Sequence, residues 1–586
     1  MPRATLRLTA WNRTLSPATE SGGSPALREP GEAAVRLPGA AARRVWFAAA
    51  LLFTLLRALP NISYPIARDH AVYCVLGRGL LEGKQLYLDY WDNRSPGLAY
   101  IYAAIVKVFG PVMWCVGAVD ILWLLVIAWF IFRFTERYLG PAAAAISVAV
   151  YVSWHAYAGY WQAAQAETFV MVFVFAAFFL VSREDRWIRL RHFAAGVVFG
   201  GAFWTKYNGG VLLPVAILLP YLETSGLDAR PAQIRLTIPW RHWMARAALF
   251  GAGFLLAVVL VLLYFWHVGS LNEFRYQQFQ VLPRYVATAI ARTPHLWLWS
   301  VLQTESVLGF MALAGMAATL YIVWRQRDLA RLAPILVAAA LGYLSVAAQG
   351  RFHSYGFETC LPFFAMAWGY LAVKIYLRFG AMARSCAARG WRVAQVLIWV
   401  VLMNVMAWVV SGQAIEIRSH YQALAAWWRA PEASYGSYPW SNPISHFADQ
   451  MQVVEYLRRN TRPRDSVFVW GSEPLIYFLT GTCQPTRFVL NLPLISPWSP
   501  PAWRDEVAAD LRESPPRYFI VARDDALPYI AFHPWDSEEF LQAYPELAIF
   551  LADGYELAQK LEYFKIYRRR ELAGAMASST LPAPCR

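Results

Sequence analysis

Apolar residues in this chain fall in long, nearly unbroken runs separated by short charged segments, the pattern of helices that cross a membrane. A helix needs about 20 mostly apolar residues to do so. About eleven stretches approach that length, near 45–61, 112–132, 141–159, 167–182, 192–205, 209–221, 247–266, 297–323, 332–348, 357–376 and 393–412. The expected fold class is therefore a polytopic α-helical membrane protein. Alternate connections are strongly basic: Phe132 to Arg137, Arg183 to His192, Arg230 to Arg246, Trp324 to Arg331 and Arg378 to Arg392. By the positive-inside rule these face the cytoplasm, as does the N-terminus. The stretch from Pro96 to Phe109 is apolar but short, contains Lys107 and ends at "FGP". It predicts a helix along the membrane surface, because counting it as a span would put every later basic loop outside. A large outer loop then runs from Ile62 to Pro111.

The ends of the chain break the pattern. Residues 1–44 are rich in Arg, Ala, Pro and Ser with no apolar period, which predicts a disordered basic cytoplasmic tail. "RALPNIS" (Arg57 to Ser63) has no small-x-small cleavage site, which argues against a cleaved signal peptide. Residues 45–412 form the expected membrane domain, and the long apolar runs end near Gly412. Within 413–586, "DSVFVW" (Asp465 to Trp470) and "RYFIVAR" (Arg517 to Arg523) predict buried strands. "EPLIYFLTG" and "WRDEVAADLRES" predict helices, and Tyr555 to Arg570 a closing strand pair. A small α/β domain on the outer side is expected. It shows no glycine-rich phosphate loop and no evident nucleophile, so its expected role is structural or substrate-shaping.

Composition agrees with the pattern. Of 586 residues, 58% are hydrophobic and 16% charged, outside the usual soluble range. The formal net charge of +15 is largely accounted for by the cytoplasmic loops, so it is an address and no sign of a nucleic-acid partner. Six scattered cysteines have neither zinc nor redox spacing. Cys483 and Cys585 could pair in an oxidising compartment, but unpaired thiols are the expectation. Asp89 and Asp92 are three apart and no His, Cys and Asp cluster has ligand spacing, so neither metal nor cofactor is expected.

Charges near a membrane are costly, so where they gather is informative. On this topology the outer side presents Asp69 and His70, then Asp89, Asp92 and Arg94. It also presents Glu167 in "YWQAAQAETF", Lys206 in "FWTKYNGG", Arg275, and Arg351, His353 and Tyr355 in "QGRFHSYGF". Acids and bases from five segments meet on one side, the geometry of a site at the membrane surface.

"ARDHAVYCVLGRGLLEGKQLYLDYWDNRSPGLAYIY" (Ala67 to Tyr102) resembles the first outer loop of the GT-C glycosyltransferases of the protein O-mannosyltransferase and aminoarabinose-transferase type. The resemblance extends to "AETF", to the G-x-x-x-x-T-K spacing of Gly200 to Lys206, to "QGRFHSYGFETCLP" and to Val453 to Gly481, and so covers most of the chain from Val45 onward. It implies a GT-C membrane domain carrying its site in loop 62–111. It also implies inverting transfer of a sugar from a polyprenyl-phosphate donor to a hydroxyl on a lipid, glycan or protein acceptor, at the outer face of a bacterial inner membrane. Membrane lipids would be the other partners. Asp69 occupies the position of the family's catalytic acid and would take the acceptor proton, where a helix-capping Asp is the plainer role. Glu167 matches the second acidic position, and could equally be a first-turn carboxylate. Arg94 stands where relatives carry the lysine of a K-P-P motif, and Ser95 replaces the first proline; with Lys206, His353 and Tyr355 it would hold the donor phosphate. Asp69 is followed by His70 where relatives carry Asp-Glu, which removes a second acid.

A transporter or flippase for a lipid-linked glycan is the rival class. It would show internal repeats and ionisable groups at mid-membrane. No repeat is evident, and Asp120 and Glu305, the deepest charges, are expected in the outer thirds of their helices.

Overall fold

The computed structural model describes residues 40–183, 185–218, 222–224, 234–236, 239–291, 329–435, 446–462 and 464–570, with isolated positions at 295, 298, 302 and 320. Helix α1 (Ala40–Ala58) runs into a 3-10 turn (Leu59–Ser63) that packs against α4. Between them lie two short helices, α2 (Arg68–Leu81) and α3 (Gly97–Phe109), packed on each other. At 13 residues α3 is about 20 Å long, too short to cross a bilayer, and it occupies the stretch expected as a surface helix. Next come α4 (Cys115–Leu139), α5 (Pro141–Tyr157), α6 (Ala166–Val181) and α7 (Ile188–Thr205). Because these alternate in direction with short connections, the start of α4, the end of α5 and the start of α6 share one side.

A 3-10 turn (Tyr207–Leu212) leads to α8 (Leu213–Leu218), followed by a small antiparallel pair, β1 (Leu222–Thr224) and β2 (Ile234–Leu236). Helix α9 (Trp240–His267) continues through α10 (Leu271–Tyr276) and a π turn (Gln277–Val281) into α11 (Leu282–Ala291). Beyond the next described segment boundary come α12 (Leu329–Ala347), α13 (Leu361–Ala388) and α14 (Arg392–Arg429).

Three helical stretches among the described residues are long and apolar enough to cross a membrane: Ala40–Ser63, Cys115–Leu139 and Trp240–His267. The other expected spans form helices that are shorter or more polar. The stretch 209–221 is a 3-10 turn running directly into α8, with 219–221 outside the described residues, and 297–323 falls almost wholly outside them, as does Glu305. Two expected boundaries move. The basic "AARR" of Ala41 to Arg44 is already helical in α1, with the rest of the tail outside the described residues. The boundary near Gly412 falls inside α14, whose 38 residues run on to Arg429 after its apolar window has ended.

The last part of the chain holds α15 (Phe447–Asn460), β3 (Val467–Trp470), α16 (Leu475–Thr480), α17 (Ala502–Glu513), β4 (Tyr518–Ala522), β5 (Tyr555–Lys560) and β6 (Phe564–Arg569). The strands order as β3-β4-β6-β5, with β3 and β4 parallel and the rest antiparallel. Alternate side chains of a strand face opposite sides, and both faces here are buried. Val467, Val469 and Ile520 join a core shared with α2 and α3, whereas Phe468, Trp470 and Phe519 join a second cluster that includes Trp91. Cys483 is disulfide-bonded, correcting the expectation of a free thiol there; Cys585 lies outside the described residues.

The closest helix packing rests on small residues. Gly196 and Gly200 on α7, spaced as GxxxG, face Gly253 and Ala257 on α9, and a Cβ at Gly196 would collide with the Phe250 carbonyl and one at Gly253 with the Phe193 carbonyl. Gly251, one residue-pair away on α9, has open space around it. Gly196→Val or Gly253→Val should therefore lower the thermal unfolding midpoint in detergent by about 5 °C or more, with Gly251→Val near wild type. Equal midpoints for all three variants would contradict this packing.

A candidate active site around Asp69 and Arg94

Asp69 lies in the first turn of α2, whose N-cap is Ala67, and the helix has no side-chain cap. The carboxylate is engaged elsewhere: the Arg94 guanidinium donates to it at 2.7 Å and reaches Asp92 at 3.2 Å. The loop 87–94 that presents Arg94 is fixed from several directions. The Tyr87 hydroxyl donates to the Arg94 carbonyl at 2.8 Å, and Gln278 donates to the same carbonyl at 3.2 Å. Gln277 accepts from the Asp92 amide at 3.0 Å and donates to the Tyr87 carbonyl at 3.0 Å. Tyr87 itself sits at φ 74, an unfavourable conformation for a side chain of that size that the buried surroundings hold in place. Tyr73 on α2 offers its ring face to Arg94 at 5.1 Å.

The other residues singled out in the sequence close the ring. The Tyr355 hydroxyl lies 3.5 Å from the second Asp69 oxygen. Its ring stacks on His353 at 5.2 Å, and Lys206 Nζ lies 5.7 Å from its centroid. Lys206, just past the end of α7, is bonded to Glu167 in the first turn of α6. Asp69, Arg94, Glu167, Lys206, His353 and Tyr355, from four segments, thus form one continuous set of contacts. Asp69, Arg94 and Lys206 keep a quarter to a third of their side chains exposed, at 25%, 30% and 26%, so the set borders open space. Asp89 and Arg275 stand apart: Asp89 closes its own turn by accepting from the Gln85 amide, and Arg275 lines a separate hollow with Asn272 and Phe279.

Burial alone would raise the pKa of Asp69, but Arg94, His70 and His353 outweigh it and hold the carboxyl below its ordinary 3.8. Burial pushes His353 down to about 4, against the pull of Asp69. At neutral pH the set therefore presents an ionised carboxylate, a neutral imidazole and two cations, each cation already paired with an acid. Among the described residues no group of three or more His, Cys, Asp or Glu is placed to hold a metal ion.

Two features were not foreseen. The first is a buried network at the same end of the helices. His155 Nε2 lies 3.3 Å from Asp120, its Nδ1 lies 3.6 Å from Glu358, and Tyr151 and Gln162 both donate to Glu358. Asp120 also accepts from Asn61 at 2.7 Å and from the Ala164 amide at 2.8 Å. Asp120 sits in the second turn of α4, His155 in the last turn of α5 and Glu358 in the turn before α13. They tie the connection leading to Glu167 to the segment that carries His353 and Tyr355.

The second is the grip of the C-terminal α/β region on α2. Glu473, which is buried, pairs with Arg68, the residue before Asp69, with Nε at 3.0 Å. At the far end of α2, Arg78 donates to the Tyr477 and Thr482 carbonyls at 2.8 and 3.0 Å. Trp91 donates its amide to the Arg487 carbonyl at 2.8 Å and packs its ring among Trp498, Trp503 and Phe488.

Comparison with known proteins follows the same lines. A family model described as dolichyl-phosphate-mannose-protein mannosyltransferase matches residues 93–240. Among solved structures, ArnT from Cupriavidus metallidurans bound to undecaprenyl phosphate aligns over 90% of this chain and 98% of its own, with a TM-score of 0.50 and 12% identity. The oligosaccharyltransferase AglB from Archaeoglobus fulgidus, in complex with an inhibitory peptide and a dolichol-phosphate, aligns over 90% of this chain and 75% of its own, with a TM-score of 0.44 and 11% identity. No curated protein matches.

Burial raises the Glu473 pKa to about 7, with Arg68 opposing. A folded-state value above the ordinary 4.5 means the folded protein binds this proton more tightly, so stability from this group is present below pH 4.5 and is lost as pH rises towards 7. Unfolding midpoints measured from pH 4.5 to 7.5 should fall in wild type relative to Glu473→Gln, whatever the offset between the curves. Parallel curves would contradict the assignment.

Proposed function

In a chain with the GT-C glycosyltransferase fold, we propose that the Asp69 and Arg94 set is the catalytic site of an inverting glycosyltransferase that uses a polyprenyl-phosphate sugar donor. The observation that carries this reading is the Asp69 carboxylate: part exposed, paired with Arg94, and reached by the Tyr355 hydroxyl, whose ring contacts His353 and Lys206, at one end of the helix bundle. The family-model match to residues 93–240 spans Arg94, Glu167 and Lys206 and supports it. The ArnT likeness supports the fold.

The reaction needs little more than these groups. The acceptor hydroxyl attacks the anomeric carbon opposite the leaving group, the C–O bond to phosphate breaks, and its electron pair leaves on the polyprenyl phosphate. Asp69 accepts the hydroxyl proton. A low pKa does not disqualify it, because the attacking oxygen becomes strongly acidic as its new bond forms, so a weak base positioned at hydrogen-bond distance suffices. The phosphate gains charge as it leaves, and Arg94 and Lys206 exchange part of their carboxylate pairing for it. Glu167 holds Lys206 in place, Tyr355 orients Asp69, and neutral His353 lies beside the phosphate as a hydrogen-bonding partner.

The site belongs on the extracytoplasmic side, with the N-terminus and the basic loops in the cytoplasm, in the inner membrane of a bacterium. About eleven spans and an extracytoplasmic α/β region complete this reading. The acceptor hydroxyl is carried by a lipid, a glycan or a protein approaching between the outer loop and that region.

Purified protein offered a panel of radiolabelled polyprenyl-phosphate sugars and an envelope acceptor fraction should transfer one of them. Asp69→Asn, eluting as wild type on gel filtration, should lose at least 100-fold in kcat. Arg94→Ala should raise the donor KM and lower kcat together, since it touches both the donor phosphate and Asp69. Full activity in Asp69→Asn would remove Asp69 from the mechanism.

A further inference from the structure

At the end of the bundle away from Asp69, four helices border a half-open hollow of about 510 Å³. It lies between the start of α1, the end of α4, the start of α5 and the end of α6. Along α4, Arg133 and Arg137 follow Asp120 by 13 and 17 residues, which places the cavity about 20–25 Å from the site already described. It is therefore a separate chamber at the opposite membrane face.

Its lining has two parts. One is charged: among the described residues, Arg43, Arg133, Arg137 and Arg183 against a single acid, Glu136. Arg43 donates to Glu136 at 2.8 Å, and Arg133 lies 3.7 Å from the same carboxylate, so that charge is shared between two guanidinium groups. Arg137 donates to the Ser182 carbonyl at a long 3.4 Å, and Arg183 lies over the Phe179 ring at 4.3 Å. Asp185, the acid next to Arg183 among the described residues, is bonded to Arg191 at 2.6 Å. Positive charge is thus left in excess within a concave wall, and the N-terminus of the 17-residue α5 opens onto it at Pro141. The other part is apolar: Phe175 and Phe178, both buried, with Phe130, Phe134 and Phe179 beside them.

Arginines that merely mark the membrane interface extend outward to water and headgroups. These four line a single half-open hollow with an aromatic floor, Arg43, Arg137 and Arg183 at its exposed rim and Arg133 partly buried. We propose that this cavity binds the headgroup of an anionic phospholipid from the leaflet at that face, with the phosphate on Arg133, Arg137 and Arg183 and the upper acyl chain on the phenylalanines. Basic pockets between membrane helices recognise such headgroups by this chemistry, and the volume lies in the range that holds a small polar head with its first methylenes. The lipid would bridge α1, α4 and α6 and so brace the bundle that presents Asp120 and Glu167 at its other end.

Native mass spectrometry of the full chain in micelles doped equally with phosphatidylglycerol and phosphatidylcholine tests this. Wild type should retain one phosphatidylglycerol with at least tenfold preference, and a rising unfolding midpoint should accompany its addition. Arg133→Gln with Arg137→Gln, monodisperse on gel filtration, should lose that preference at least fivefold, and the paired lysine replacements should keep most of it. Equal retention of the two lipids by wild type would overturn the proposal, as would an unchanged preference in the glutamine variant. Equal stabilisation by inorganic phosphate alone would also overturn it, by showing a site for the soluble anion.

Discussion

The ion pair between Arg94 and Asp69 is the contact on which the site's geometry depends. Two carboxylates and one guanidinium in a half-buried setting are stable only if each hydrogen-bonding direction is filled, and here Asp69 and Asp92 share Arg94 while Tyr87, Gln277 and Gln278 fix the backbone beneath it. Removing Arg94 would leave both carboxylates without their cation. The same pairing explains why Asp69 stays ionised next to apolar helices, and why the strained backbone at Tyr87 is worth keeping.

That loop is held between two bodies. On one side, the helix ends fix it through Gln277 and Gln278 and through the aromatic packing of Tyr87 on Phe265 and Phe274. On the other, the C-terminal sheet and helices share a continuous core with α2 and α3 and seize both ends of α2 through Arg68 and Arg78. The C-terminal region is therefore built into the walls of the site, one residue from Asp69.

Much of this was legible in the sequence for a physical reason: charges are scarce in so apolar a chain, so those in short connecting segments stand out, and the six also marked by family resemblance lie in one contact set, whereas Asp89 and Arg275, picked on charge alone, lie outside it. Strands β3 and β4 were legible because continuous apolar runs bounded by charge have few other uses in a polar segment. What stayed hidden was pairing over long sequence distances. Nothing near Lys206 announces Glu167 as its partner, nothing near His155 announces Glu358, and Arg68 gives no hint of Glu473. The end of α14 was hidden because its last turns are amphipathic, with Glu416 turned to Arg57 and Tyr421 to the Leu56 carbonyl, so hydropathy fell while the helix continued. Near 209–221 composition does not reveal that the helix opens as a tighter 3-10 turn before α8.

The most direct measurement of the central claim is a cryo-electron microscopy structure of the full chain with polyprenyl phosphate added. Phosphate density should appear within hydrogen-bond reach of Arg94 or Lys206, with at least one of these cations drawn from its carboxylate partner. A phosphate seated elsewhere, with both ion pairs unchanged, would contradict it.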